Sequence, residues 1–133
     1  MKHIIEEVKL KSGARGLLID VPGASVMNFH AIFRAGNRFM ANPGIYEVAH
    51  LMEHMAFGQN AEFEDEQAYE QEFTKNGAYH NAWTSDYFIA YEAECADFEW
   101  ERILRLQELA IARPLFNEKE MAAEKGNVRS ELT

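Results

Sequence analysis

Apolar and polar positions change period several times along the chain, and each change marks an element. From Val8 to Val21 two short apolar runs flank Lys11-Ser12-Gly13, which predicts a strand, a turn and a second strand before Pro22-Gly23. From Val26 to Arg34 the residues Met27, Phe29, Ala31 and Phe33 alternate with Asn28, His30, Ile32 and Arg34, the period of a strand with one face on a core, and Gly36 closes it. After Pro43-Gly44 the period lengthens. Ile45, Val48, Met52 and Met55 recur at three- and four-residue steps, predicting a helix over 45–57 with Gly58 as its C-terminal cap and Met52 and Met55 in the core. Asp65 to Lys75 reads as a helix stopped by Asn76-Gly77, and Ala78–Thr84 and Tyr87–Ala93 read as a hairpin around Ser85-Asp86. Phe98 to Ala112 is helical up to Pro114, and a last helix follows with Asn117 as N-cap and Glu120 at the third helical position, the arrangement of a capping box. Strands and helices in this order favour an α+β fold, a mainly antiparallel sheet packed against helices, over a doubly wound parallel sheet.

Composition narrows the function classes. At 133 residues, 47% of them apolar, the chain has the size and apolar content of one domain with a core. A formal net charge of -9, spread from Glu6 to Glu131, argues against a nucleic-acid partner. No window approaches the ~20 apolar residues of a membrane span, so no membrane partner is expected. The single cysteine, Cys95, excludes an internal disulfide, and the start Met1-Lys2-His3-Ile4-Ile5-Glu6-Glu7 lacks the apolar stretch of a secretory signal; a cytoplasmic setting is expected.

The chemistry concentrates in His50-Leu51-Met52-Glu53-His54, on a helix that is otherwise rather apolar. On a helix, imidazoles at i and i+4 project from one face about 5–6 Å apart at Cβ and reach one ion. Zinc takes imidazole nitrogens, and a catalytic zinc typically keeps three protein ligands and an open position for water. Glu53 lies close enough to accept a proton from such a water without binding the ion, which makes peptide hydrolysis the natural reaction class. A third ligand is needed. Glu124 and Glu131, seven residues apart on one stripe of the last predicted helix, both face the right way, and either carboxylate could supply it, the other orienting a histidine.

The inverted order His-x-x-Glu-His resembles the pitrilysin (insulinase) family of zinc metallopeptidases, the inverzincins. The likeness extends along the chain: Ala35-Gly36-Asn37-Arg38 is similar to the family's Ala-Gly-Ser-Arg stretch, with Asn37 for the usual serine and Met40 near a common acidic position. Residues Ala49 to Phe57 resemble its zinc helix, Asn81-Ala82-Trp83-Thr84-Ser85 its Asn-Ala-x-Thr-Ser strand, and Pro114-Leu115-Phe116 its Pro-Leu-Phe. The resemblance implies a metallopeptidase domain like that of LuxS and the mitochondrial processing peptidases. It further implies one Zn2+ held by His50, His54 and Glu131, with Glu53 activating water, Glu124 supporting the site, and Asn81 and Ala82 on a strand whose edge takes up a peptide substrate. Family domains continue past the glutamate helix, so residues 1–133 are expected to be the N-terminal portion of a catalytic domain, a fragment or one part of a larger assembly. A homologous second half or partner subunit would close the chamber and supply oxyanion donors, and the chain alone is expected to be slow.

Other groups read more simply. His30 and His80 lie in predicted strands as hydrogen-bonded histidines, Cys95 as a small buried group, and Trp83, Tyr87 and Tyr91 as sheet packing or a peptide groove. The rival functions are an inactive scaffold subunit of the same family and a simple zinc-binding module, neither of which needs Glu53.

Overall fold

Two antiparallel sheets build the chain, a computed structural model that describes residues 2–133; Met1, the first residue of the Met1–Glu7 stretch read above, lies outside them. β1 (Ile4–Lys9) and β2 (Arg15–Asp20) form a two-stranded ribbon, with Gly13 in the left-handed region (φ 92°) at its turn. β3 (Val26–Phe33), β5 (Ile89–Ala96) and β4 (Tyr79–Thr84) form a three-stranded sheet in the order β3-β5-β4, so β4 is an edge. The register puts Phe29, Ala93 and His80 side by side, and likewise Ala31, Tyr91 and Ala82, on the face that the helices cover.

The core lies against that face. α2 (Glu66–Thr74), capped by Asp65 through the Ala68 N–H, contributes Tyr69 and Phe73; α3 (Trp100–Ala112) contributes Ile103, Leu106, Leu109 and Ala110; β5 adds Ala93 and Cys95. The buried Tyr69 hydroxyl donates to the Leu106 carbonyl at 3.0 Å, and Gln107 Nε2 donates to the Tyr91 carbonyl at 3.1 Å, so these two polar groups carried inside find partners. α4 (Glu118–Glu131) packs on α1 (Val48–Ala56) and has one buried residue, Val128. Among the described residues no helix is long and apolar enough to cross a membrane.

The α+β class and the antiparallel sheet are as the periodicities predict, and several details differ. The strands are displaced by a few residues: β1 begins at Ile4, β5 runs on to Ala96, and Tyr87 and Phe88 belong to the turn. Ile45 is outside α1, in a short 3-10 turn at Pro43–Ile45 where Asn42 accepts the Gly44 N–H at 2.7 Å. On α1 the expected orientation is partly inverted. Ile45, Val48 and Met52 are exposed, while Ala49, Met55 and Ala56 are buried and His50, Glu53 and His54 half-buried. The exposed apolar stripe borders an open groove of about 260 Å³ shared with Phe33, Met40 and Ile111. Gly58 is not a left-handed cap, since the described glycines with positive φ are Gly13, Gly23 and Gly77. Nor does Glu120 complete a capping box: Asn117 Oδ1 accepts from the Lys119 and Glu120 N–H groups, but the Glu120 carboxylate goes elsewhere and the Asn117 N–H bonds the Leu115 carbonyl.

Gly36 is required by close approach. A Cβ there would lie 2.3 Å from the Ser85 carbonyl oxygen, because the following N–H groups of Asn37 and Arg38 zip onto the carbonyls of Ser85 and Asp86 at 3.1 and 2.9 Å. Arg38 then pairs with Asp86 at 3.0 Å, holding the segment before α1 against the β4–β5 turn.

Candidate metal centre

α1 and α4 run antiparallel, and the polar stripe of one faces the carboxylate stripe of the other. His50 and His54 lie one turn apart on α1, with ring centroids 4.9 Å apart and Nε2 atoms separated by 3.2 Å. Glu131, the last residue of α4, brings Oε2 to 3.1 Å from His50 Nε2 and Oε1 to 3.7 Å from His54 Nε2. One ligand atom from each of the three residues lies within 4.8 Å of the others. Glu124, two turns earlier on α4, does not join this group; its Oε2 is 2.9 Å from His54 Nδ1. His50 Nδ1 has a carboxylate of its own, Glu47 Oε2 at 3.3 Å, a partner that the sequence reading did not single out.

A carboxylate only accepts, so with a cation held at the Nε2 atoms Glu47 and Glu124 would each keep a proton on the Nδ1 they face, and both Nε2 atoms would offer lone pairs to the ion. The two rings and the Glu131 carboxylate converge on one point. Two imidazole nitrogens and a carboxylate oxygen are also the donor types that zinc takes, and three of them leave a fourth position open. The residues present therefore fit the ion.

Glu53 is on the same helix but stands apart from the converging group. Its carboxylate accepts a hydrogen bond from the Thr84 hydroxyl on β4, which ties the motif helix to the edge strand. It also lies near Tyr91, whose hydroxyl pKa is pushed up to about 12, first by burial and then by the Glu53 charge. Asn81 and Ala82 are on β4 but are not brought into the histidine cluster; Asn81 is exposed on the outer face and Ala82 turns toward the core. Behind His54 a small cavity of about 30 Å³ is lined by Glu66, Glu120 and Glu124. Burial raises the Glu66 carboxyl above the ordinary range, reinforced by the charges of Glu124, Glu70 and Glu120.

Comparison with known proteins decides the family. The model of the insulinase family, peptidase family M16, matches residues 22–133. The chain belongs to this family. An uncharacterized zinc protease of Rickettsia bellii (strain RML369-C) is 27% identical over 124 residues, 93% of this chain and 30% of the relative. Solved structures agree in fold. A protease from Helicobacter pylori superposes with a TM-score of 0.87 at 21% identity, covering 98% of this chain and 31% of that one. Pitrilysin gives 0.86 at 23%, covering 99% and 14%. A peptidase M16 inactive domain from Pseudomonas fluorescens gives 0.81 at 21%, covering 92% and 30%. This insulinase-family chain thus spans less than a third of the length of each relative.

Proposed function

We propose that the chain carries the zinc site and general base of a peptidase, with His50, His54 and Glu131 holding the ion. The observation that carries this reading is the convergence of those three ligand atoms within 4.8 Å while Glu53 stays free of them. Zinc, when bound, supplies Lewis-acid polarisation of a scissile carbonyl and acidifies water. Glu53 accepts a proton at its carboxylate as water adds to the carbonyl carbon and returns it to the leaving amine nitrogen. Thr84 holds that carboxylate in place, Glu124 and Glu47 hold the imidazole protons on Nδ1, and the free edge of β4 at Asn81 and Ala82 receives the peptide as an added strand. The remainder of the longer relatives would supply a second half or partner subunit that walls the substrate and stabilises the oxyanion. The buried, unpaired Cys95 suits a reducing cytoplasmic setting.

The fold likeness to a domain described as inactive keeps a second reading in play, a scaffold that binds zinc without catalysis. Glu53→Gln in the intact protein separates the two. A peptidase keeps its zinc by elemental analysis and loses peptide hydrolysis by about 10²–10⁴-fold. Hydrolysis near the wild-type rate, or none in the wild type, would remove Glu53 from the role of base.

A further inference from the structure

Between α1 and α4 there is one more rung beyond the histidines, and it touches neither imidazole. Going down α1 and up α4, Glu131 faces His50, Glu124 faces His54, and Glu120 faces Gly58-Gln59. Glu120 Oε2 accepts the Gln59 N–H at 3.0 Å. A Cβ on Gly58 would lie 2.9 Å from that same oxygen, so the carboxylate occupies the space the glycine leaves. The rest of Gln59 is bound by the segment that leads into α4: its carbonyl accepts from the Leu115 N–H at 2.8 Å, and its side-chain oxygen from Asn117 Nδ2 at 3.2 Å. Asn60 and Pro114 form a β-bridge alongside.

We propose that Glu120 is a positioning residue: seated over Gly58 on the Gln59 N–H, it sets the register of α4 against α1 and so delivers Glu124 and Glu131 to the two imidazoles. The proposal rests on the reading of those residues as a zinc site. Three arguments support it. Glu120 is free for the task because the Asn117 side chain caps α4 at the Lys119 and Glu120 N–H groups and the Asn117 N–H bonds the Leu115 carbonyl. Apolar packing does little to fix the helix along its axis, since Val128 is its one buried residue. The tolerance is small: a slip of one turn moves a side chain by ~5.4 Å, against a metal bond of ~2.0–2.2 Å. Glu120, Glu124 and Glu131 share one stripe, so fixing the first fixes the direction in which the others point.

The test uses the intact protein with Glu120→Ala, Gly58→Ala, the double variant and the conservative Glu120→Gln, whose amide oxygen still accepts the Gln59 N–H. Two quantities are measured: zinc Kd by chelator competition, and hydrogen exchange of the Gln59 amide and of residues 128–131 in metal-free protein. Glu120→Ala is expected to weaken zinc by about 10–100-fold, the range for groups that orient ligands, and to speed both exchange readouts; Gly58→Ala, which the flexible end of Glu120 can partly accommodate, is expected to act in the same direction and less. The double variant should be no worse than the more severe single one, because both act on one contact. Glu120→Gln should stay within a few-fold of wild type. Unchanged zinc affinity and exchange in Glu120→Ala would overturn the proposal, and so would equal losses in Glu120→Gln and Glu120→Ala, which would assign the effect to charge. The exchange measurement needs no metal. A wild type that binds no zinc removes the zinc reading, while Gln59 and α4 exchange still judge the register.

Discussion

The two helix pairs of this chain are held by different forces. α2 and α3 meet the sheet through Tyr69, Phe73, Ile103 and Leu109, all with 1% or less of their surface exposed. α1 and α4 meet through imidazoles and carboxylates, half-buried, with Glu131 54% exposed on its side chain. The first interface gains stability from area removed from water, which tolerates small shifts in alignment. The second gains little from area and depends on alignment, because hydrogen bonds and metal bonds fall off within tenths of an ångström to an ångström. Stability and site geometry are thereby carried by separate parts of one small domain, and a variant in one part should leave the other readout nearly untouched.

The sharpest break in that separation comes from Phe73→Ala. Emptying a fully buried aromatic site is expected to cost about 3–5 kcal/mol in denaturant unfolding, a large share of a small domain's stability. Glu131→Gln in metal-free protein should change the same quantity by less than about 0.5 kcal/mol, as for an exposed surface substitution. If Glu131→Gln cost as much as Phe73→Ala, the carboxylate interface would be holding the fold and the division would fail.

Zinc binding should rank the α4 carboxylates the other way. Glu131→Gln removes a charge from the converging donors, whereas Glu124→Gln leaves an amide that still accepts the His54 Nδ1–H; the second is expected to cost about 10–100-fold or less, and the first more. Isothermal titration of both variants checks the ranking. The reverse order would exchange their roles.

The same division explains what could be read from the sequence. Period gave β3 and α3, because each turns a regular face toward the core, whereas β1 and β2 were read from apolar runs around a turn and bury almost nothing. The spacing of His50 and His54 gave the imidazole pair, since i and i+4 on a helix share a side whatever surrounds them. The choice of Glu131 over Glu124 did not follow from spacing, since both lie on one stripe; it came from family likeness. Period misled on α1, where Val48 and Met52 look like core and are exposed, because their stripe borders an open groove shared with Phe33, Met40 and Ile111 instead of a packed neighbour. Gly58, Glu120 and Thr84 were misread or passed over for one reason: each acts on a residue more than thirty positions away, through a contact that leaves no local pattern. A glycine that follows a helix, with a glutamate three residues past the N-cap of a later helix, is the faint signal that remains.

Thr84→Val probes the link between the two regions at the base. The swap keeps shape and removes the hydroxyl that Glu53 accepts, so peptide hydrolysis should fall about 10-fold or somewhat more, as for a hydrogen bond to a charged group, with zinc unchanged. Wild-type turnover in Thr84→Val would mean that the bond does not orient Glu53 during reaction.

The smallest effect expected lies on the core side, at a histidine that does not bind metal. His80 stands on β4 among the rings of Phe73 and Phe57, with centroids at 4.3 and 4.6 Å, and Tyr69 at 5.9 Å. Its Nε2 pairs with Glu70, and its Nδ1 has no partner. Protonation would place an N–H at that buried position with nothing to accept it, so burial lowers the His80 pKa below 6.5 and outweighs the attraction of Glu70. The unfolded chain then takes up the proton more readily than the folded one. Stability is complete above about 6.5 and falls as pH drops below it. Glu70 and Tyr69 are the titratable groups packed against the ring, and neither carries a positive charge that would mimic the effect. In metal-free protein the thermal midpoint of the wild type should therefore fall more steeply between pH 7.5 and pH 5.5 than that of His80→Gln, whose side chain does not titrate. Parallel slopes would mean that His80 takes no part. A shallower wild-type slope would mean that the Glu70 ion pair, and not the aromatic enclosure, governs this histidine.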